Sequence, residues 1–235
     1  MTKPKIAVVT GASSGIGKAI SERLLDLGFF VIGVSRNVSS SLFEHTNFQA
    51  IQTDLSEEKE TLKLCQTLKE KEIFILINSA GFGRFEPHEE LHPKIITSMI
   101  FLNLTAPMLL TNTLLRSLKK NSGYLININS IEAIKTSKFA GVYSASKAGL
   151  KAFSDSLFEE TRKSGLSVTN INPDMTESSF YDALRFETSH KENERLLASD
   201  IADAVSHILT MRKGAVVSDY TIRSLHFGIK KKSKL

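Results

Sequence analysis

The chain carries a single cysteine, Cys65, which excludes an intramolecular disulfide. That residue shares a helical-looking run with Leu62, Leu64 and Leu68, so a buried structural thiol is expected. No uninterrupted apolar run approaches the roughly 18 residues of a membrane span. The apolar stretch after "MTKPK" runs straight into a glycine turn and fits no signal peptide, so a cytoplasmic chain with no membrane partner is expected. The six histidines are scattered and no cysteine pair exists, so no metal site is expected. No repeat or low-complexity linker divides the 235 residues, which reads as one domain spanning 1–235.

Excess charge is also missing from most of the chain. The net charge is +5, yet Lys230, Lys231, Lys232 and Lys234 stand among the last six residues, leaving a nearly neutral body. The basic tail, 228–235, is read as a solvated, frayed terminus, with contact to nucleic acid or anionic lipid as the alternative. No nucleic-acid partner is expected.

What is present is an alternation. Short aliphatic runs (6–10, 29–35, 48–53, 73–78, 124–130, 167–172) alternate with segments of helical period, and a last strand is expected near "AVVSDYTI". Strands apolar on both faces indicate a parallel sheet covered on both sides. The expected fold is α/β: a doubly wound, Rossmann-type sheet of about seven strands with helices on both faces. Such sheets bind ligands beyond the carboxyl ends of their strands. Here those ends carry Gly11, Ser35 and Arg36, Asp54, Asn78, Ser130, and Asn172 with Pro173. Residues 174–197 form an irregular stretch long enough to act as a lid.

"TGASSGIG" (10–17) lies between the first strand and the first helix. Its glycines permit a tight turn and close backbone approach, and the helix N-terminus suits a pyrophosphate. The second strand ends in Ser35 and Arg36 rather than the acidic residue that grips the ribose of NAD. A guanidinium clamps a phosphate well, which predicts NADP over NAD, with Ser13 and Asn37 as helpers. Tyr143 and Lys147 stand four apart in "VYSASKAGL", on one helical face. The pair is either the solvated edge of a helix or an arrangement in which the ammonium, within about 4–6 Å, acidifies Tyr143 by lowering its pKa from the usual value near 10.

Together these motifs resemble the short-chain dehydrogenase/reductase family. The carriers are "TGASSGIG", Asp54, "NSAG" (78–81), Asn103, Ser130 and Tyr143-x-x-x-Lys147, with Ser130 thirteen residues before Tyr143. The resemblance implies Tyr143 as general acid/base, Ser130 as the group orienting a substrate oxygen, and Lys147 on the nicotinamide ribose. It implies Asn103 holding a relay water. It also implies cofactor contacts from Gly11, Ser13, Gly15, Ile16, Arg36, Asp54, Leu55, Asn78, Ala80 and Gly81, together with Pro173 and Thr176. The substrate would be a small carbonyl compound or alcohol, and the assembly a homodimer or homotetramer built on the helices near 91–119 and 142–163. A dinucleotide-binding sensor or scaffold without turnover is the alternative. Two departures stand out: Asp174 follows Pro173 where the family commonly has glycine, and Ser79 interrupts the usual Asn-Asn-Ala-Gly. Asp174 either repels anionic substrates or faces solvent. Phe82, Phe85, Ile131, Glu132, Met175, Phe180 and Tyr181 are the candidate substrate-facing residues.

Overall fold

The computed structural model describes residues 3–232. Apolar strands and amphipathic helices alternate as β1 (Ile6–Thr10), α1 (Gly15–Asp26), β2 (Phe30–Ser35), β3 (Phe48–Gln52), α2 (Glu58–Leu68) and β4 (Ile73–Asn78). Then follow α3 (Pro93–Ile100), α4 (Ala106–Lys120), β5 (Tyr124–Ile128), α5 (Gly141–Thr161) and β6 (Ser167–Pro173). The chain ends with β7 (Phe186–Thr188), α6 (Ala198–Thr210), β8 (Asp219–Ile222) and β9 (Ile229–Lys231). Seven strands form one sheet in the order β3-β2-β1-β4-β5-β6-β8, every neighbouring pair parallel. This is the doubly wound fold the alternation predicts, with strand order reversing between β1 and β4 to open a crevice there.

Both sheet faces are covered. On one side Ile20 and Leu24 of α1 and Ile201, Val205 and Ile208 of α6 pack on Val9, Ile75 and Ile77. On the other, Leu64 and Leu68 of α2, Leu110, Leu114 and Leu118 of α4, and Leu157 of α5 pack on Val8, Leu76 and Leu125. Cys65 is buried within this second layer, as expected of a structural thiol.

β5 and β6 are not apolar on both faces, as the sequence suggests at first sight. Asn127, Asn129, Asn170 and Asn172 are all buried. They bond one another and α5: Asn127 donates to Ser154, Asn129 to Asn170, and Asn170 to Asp155. This polar seam fixes the helix that carries Tyr143 against the strand that leads to Ser130.

The helical run Pro93–Lys120 is continuous, passing from α3 to α4 through a π-helical turn at Phe101–Thr105. By length and composition it could cross a membrane, which a search for uninterrupted apolar runs does not register. Its Leu110, Leu114 and Leu118 stripe is spent on the sheet.

The basic tail departs from expectation. Residues Ile229–Lys231 form β9 and pair antiparallel with β7 inside the 174–197 stretch. Lys230 pairs with Glu187 at 3.2 Å, and the Lys232 ammonium donates to the carbonyls of Tyr181 (2.6 Å) and Asp182 (3.2 Å). Residues 229–232 are therefore held, not frayed, because their backbone groups and two of their ammoniums find partners on the 174–197 stretch; Lys234 lies outside the described residues. Truncation after Phe227 removes this pairing. Limited proteolysis of the truncated protein should cut within 174–197 several times faster than in the full chain, with the melting temperature lowered by only a few degrees. Equal cleavage rates would show that the tail does not restrain the lid.

Candidate active site

The chain leaves β1 through Gly11, whose φ of +72° a side chain would strain, and whose N–H donates to the Val34 carbonyl at 2.8 Å. The helix α1 then starts so close to the turn that a Cβ on Gly17 would lie 2.3 Å from the Gly11 carbonyl oxygen. The Thr10 hydroxyl accepts from the Ser79 and Ala80 amides, both at 3.0 Å, and locks the ends of β1 and β4 together. Nothing caps α1: Ser14 makes no side-chain cap, and no acid stands in the first turn. Its amides and positive dipole end are left for an anion.

A cavity of about 360 Å³ opens on this helix end. Gly11, Ser13, Gly15, Ile16, Ser35, Arg36, Asp54, Leu55, Ala80 and Gly81 all lie on its wall. Ser13 and Ser35 share a hydrogen bond at 2.7 Å, and exposed Arg36 stands at the rim. The residues fit a dinucleotide: a side-chain-free cradle and uncapped amides for the pyrophosphate, a cation at the end of β2, and a carboxylate at the end of β3.

Asn78, Pro173 and Thr176 are not on this wall. Asn78 is turned into the sheet, donating to Asn127 at 2.8 Å. Pro173 is buried in β6 opposite Ile222. The Thr176 hydroxyl is spent on the Asp174 carbonyl at 2.9 Å.

Next to the cavity lie the reactive groups. The first turns of α5 bring Tyr143 and Lys147 to one place, both buried. Lys147 donates to the Ile128 carbonyl at 2.9 Å, and its nitrogen sits 3.7 Å from where a Gly81 Cβ would be. The lysine thus stands directly behind the cavity wall. Ser130 follows β5 and caps a short turn, accepting from the Glu132 amide at 3.2 Å. Its hydroxyl is near enough to Tyr143 to favour the phenolate by hydrogen bonding.

The expected acidification of Tyr143 is not what this geometry gives. Burial pushes the phenol up to about 12, helped by the negative charge of Glu132, and outweighs the Ser130 contribution. Burial likewise brings Lys147 down to about 8. The Lys147 ammonium lies 5.9 Å from the Tyr143 ring centroid. Desolvation penalises both charged forms and is the largest cause in each case.

Asn103 sits in the π-helical turn with its amide committed: it accepts from the Phe82 N–H (3.1 Å) and donates to the Phe82 carbonyl (2.9 Å) and to Ser146 (3.1 Å). Its side chain fastens the loop after β4 to α5. Asp174 is also accounted for. Its carboxylate takes the Met175 amide at 2.9 Å and pairs with Arg223 at 3.1 Å, so it is partnered instead of facing open solvent.

Of the candidate substrate-facing residues, Phe85 and Phe180 pack at a tilt against Tyr143, with ring centroids 5.4 and 5.7 Å away. Tyr181 joins them through Phe180, and its hydroxyl contacts the Met175 sulfur. Phe186 of the lid, which a sequence reading passes over, closes the cluster at 5.3 Å from Phe85. Glu132 does not belong to this wall: it is buried and turned towards α5.

The string His88-Glu89-Glu90-Leu91-His92 has the spacing of a zinc helix, a pattern that counting scattered histidines misses. Its backbone is not such a helix. His88–Glu90 is a short 3₁₀ turn, and His92 caps α3 by accepting from the Lys94 amide at 3.2 Å. Among the described residues no group of three His, Cys, Asp or Glu side chains could hold a metal.

Fold and crevice together point to an oxidoreductase whose cleft has the shape of a dinucleotide site. The model of the family "short chain dehydrogenase" matches residues 5–188, and the chain belongs to that family. An uncharacterized oxidoreductase of Staphylococcus saprophyticus is 34% identical over 231 residues, covering 93% of this chain and 97% of the relative. An alcohol dehydrogenase of the archaeon Thermococcus sibiricus, solved with 5-hydroxy-NADP, superimposes with a TM-score of 0.84 at 24% identity over 95% of this chain and 97% of its own. A metagenomic short-chain oxidoreductase in complex with NADP gives 0.77 at 27% identity, covering 93% and 96%. A 4-hydroxyisoleucine dehydrogenase complexed with NADH gives 0.82 at 23% identity, covering 94% and 97%.

The two buried groups make the stability of the ligand-free protein depend on pH. Between about 8 and 10.5 the unfolded chain keeps the Lys147 proton that the folded chain has lost, so this group makes stability rise with pH. Between 10.0 and about 12 the folded chain keeps the Tyr143 proton that the unfolded chain loses, so stability falls. Urea denaturation of the protein and of Lys147→Met across this range should show the first slope shrinking in the variant. Parallel curves would contradict the burial of the ammonium.

Proposed function

We propose that this chain is an NADP(H)-dependent oxidoreductase interconverting a carbonyl compound and its alcohol, with Tyr143 as the acid/base. The observation that supports this most directly is the meeting of Tyr143, Lys147 and Ser130 beside a cavity floored by the glycine turn. When bound, the cofactor supplies or accepts the hydride.

The chain's own residues supply position and a proton. The protonated phenol is the form that gives its proton to a carbonyl oxygen in the reducing direction. Ser130 orients the same oxygen. Lys147, protonated below about 8, stands behind Gly81 where it reaches ribose hydroxyls and favours the phenolate in the reverse direction. Asn103 holds the Phe82 loop in register with α5. Arg36, with Ser13 and Ser35, takes the phosphate that distinguishes NADP from NAD.

Phe85 and Phe180 pack on the phenol with Tyr181 and Phe186 behind them, so the substrate is an apolar carbonyl compound closed off from water by the lid. The assembly is a homo-oligomer formed through α5, whose Ala145, Ala148 and Ala152 face outward and permit close helix contact.

NADPH oxidation with a panel of aryl and alkyl ketones tests this reading. Tyr143→Phe should lower kcat by about 10²–10⁴-fold, the range a general acid contributes. The double change Ser35→Asp with Arg36→Leu should move the NADP/NAD preference towards NAD by at least tenfold. Nucleotide binding without turnover on any ketone would support a sensor role instead, and an unmoved cofactor ratio would remove Arg36 from the phosphate site.

A further inference from the structure

We propose that Glu132 is a positioning residue, whose buried carboxylate ties the turn carrying Ser130 to the first turn of α5 and so holds Ser130 and Tyr143 as one unit. The inference rests on Tyr143 being the acid/base of the reaction.

Glu132 is 8% exposed. Its carboxylate accepts three hydrogen bonds, from the Ser137 amide (3.0 Å), the Ser137 hydroxyl (2.5 Å) and the Ser144 hydroxyl (2.6 Å). All three donors are neutral. A carboxylate buried on neutral donors retains an uncompensated charge, which costs more than an apolar filling would and needs a reason. Its position gives one. The Glu132 amide donates to Ser130, and its side chain holds Ser144, the immediate neighbour of Tyr143. A single residue therefore touches the elements of both reacting hydroxyls. The loop it closes is strained: Phe139 sits at φ +67°, a left-handed conformation that a bulky side chain keeps only when its surroundings enforce it. Glu132 holds the chain on both sides of this residue, at Ser137 and at Ser144.

The same charge has an electrostatic effect. The titratable groups around the phenol are Lys147 on its own helix, Glu132 on the turn after β5, and Tyr181 on the lid, itself facing Asp174. Tyr181 is held neutral by burial. Glu132 thus places negative charge near Tyr143 and favours its protonated form, the form that donates to a carbonyl.

The test uses the NADP⁺ complex of the wild type and of Glu132→Gln, Glu132→Asp and Glu132→Ala. Two readouts are taken: the pH profile of alcohol oxidation, and ultraviolet titration of the phenolate, assigned to Tyr143 by subtracting the Tyr143→Phe signal. Glu132→Gln should shift the Tyr143 midpoint to lower pH by about half a unit or more, with KM for NADP⁺ within about twofold of wild type. Glu132→Asp keeps the charge on a shorter arm. It should retain the wild-type midpoint while kcat falls by about tenfold, and Glu132→Ala should lower kcat by about 10²-fold. If Glu132→Ala does not fold, Ser144→Ala takes its place, with kcat lowered several-fold and the midpoint unmoved. Wild-type kcat and midpoint in Glu132→Gln would overturn the proposal. If the wild type turns over no substrate, the phenolate titration still decides: a shifted midpoint supports the role of Glu132 although the reaction assignment has failed, and an unshifted one overturns it.

Discussion

The site is organised by the cost of removing two ionisable groups from water together. Tyr143 and Lys147 are both buried, and burial drives each towards its neutral form. Neighbouring groups adjust this balance from both sides: the Ser130 hydroxyl favours the phenolate, and the Glu132 carboxylate opposes it. The ammonium is steadied by the Ile128 carbonyl at 2.9 Å. An ionisable residue held in this way is sensitive to small changes in charge around it, because the low-dielectric surroundings screen those charges poorly.

Rigidity beneath the site comes from an unusual source. The strands beside α5 carry buried asparagines where an ordinary parallel sheet would be aliphatic, and these bond strand to strand and strand to helix. Buried polar networks of this kind fix a register more strictly than apolar packing, since a shift leaves amides without partners. The π-helical turn at Phe101–Thr105 serves the same end by placing Asn103 where it reaches both the Phe82 backbone and Ser146. The glycine turn, the strand ends and α5 are thus held in one frame. The lid, by contrast, is held through β9 and the lysines around it.

Much of this was legible beforehand. The alternation of aliphatic runs and helical periods specified the parallel sheet, because strands covered on both faces and joined by helices have few other solutions. The glycines at 11, 15 and 17, and the four-residue step from Tyr143 to Lys147, located the crevice and the buried pair beside it for similarly local reasons. Other features were hidden. β7 and β9 are three residues each and find one another across some forty positions, so no periodicity marks them. Glu132 looked like a rim residue because it follows Ser130, and only the fold shows that its side chain turns inward to Ser137 and Ser144. The His88–His92 spacing misleads in the other direction, since its meaning depends on a helix that does not form there.

The sequence by itself determined the layers and the strand ends that meet at the crevice, since these follow from local pattern and from turns only glycine permits. Tertiary structure alone decided the acidity of Tyr143 and Lys147, the inward turn of Glu132 and the pairing of the tail with the lid. Each of these depends on what surrounds a group in space, and desolvation and charge act through distance and not through order along the chain.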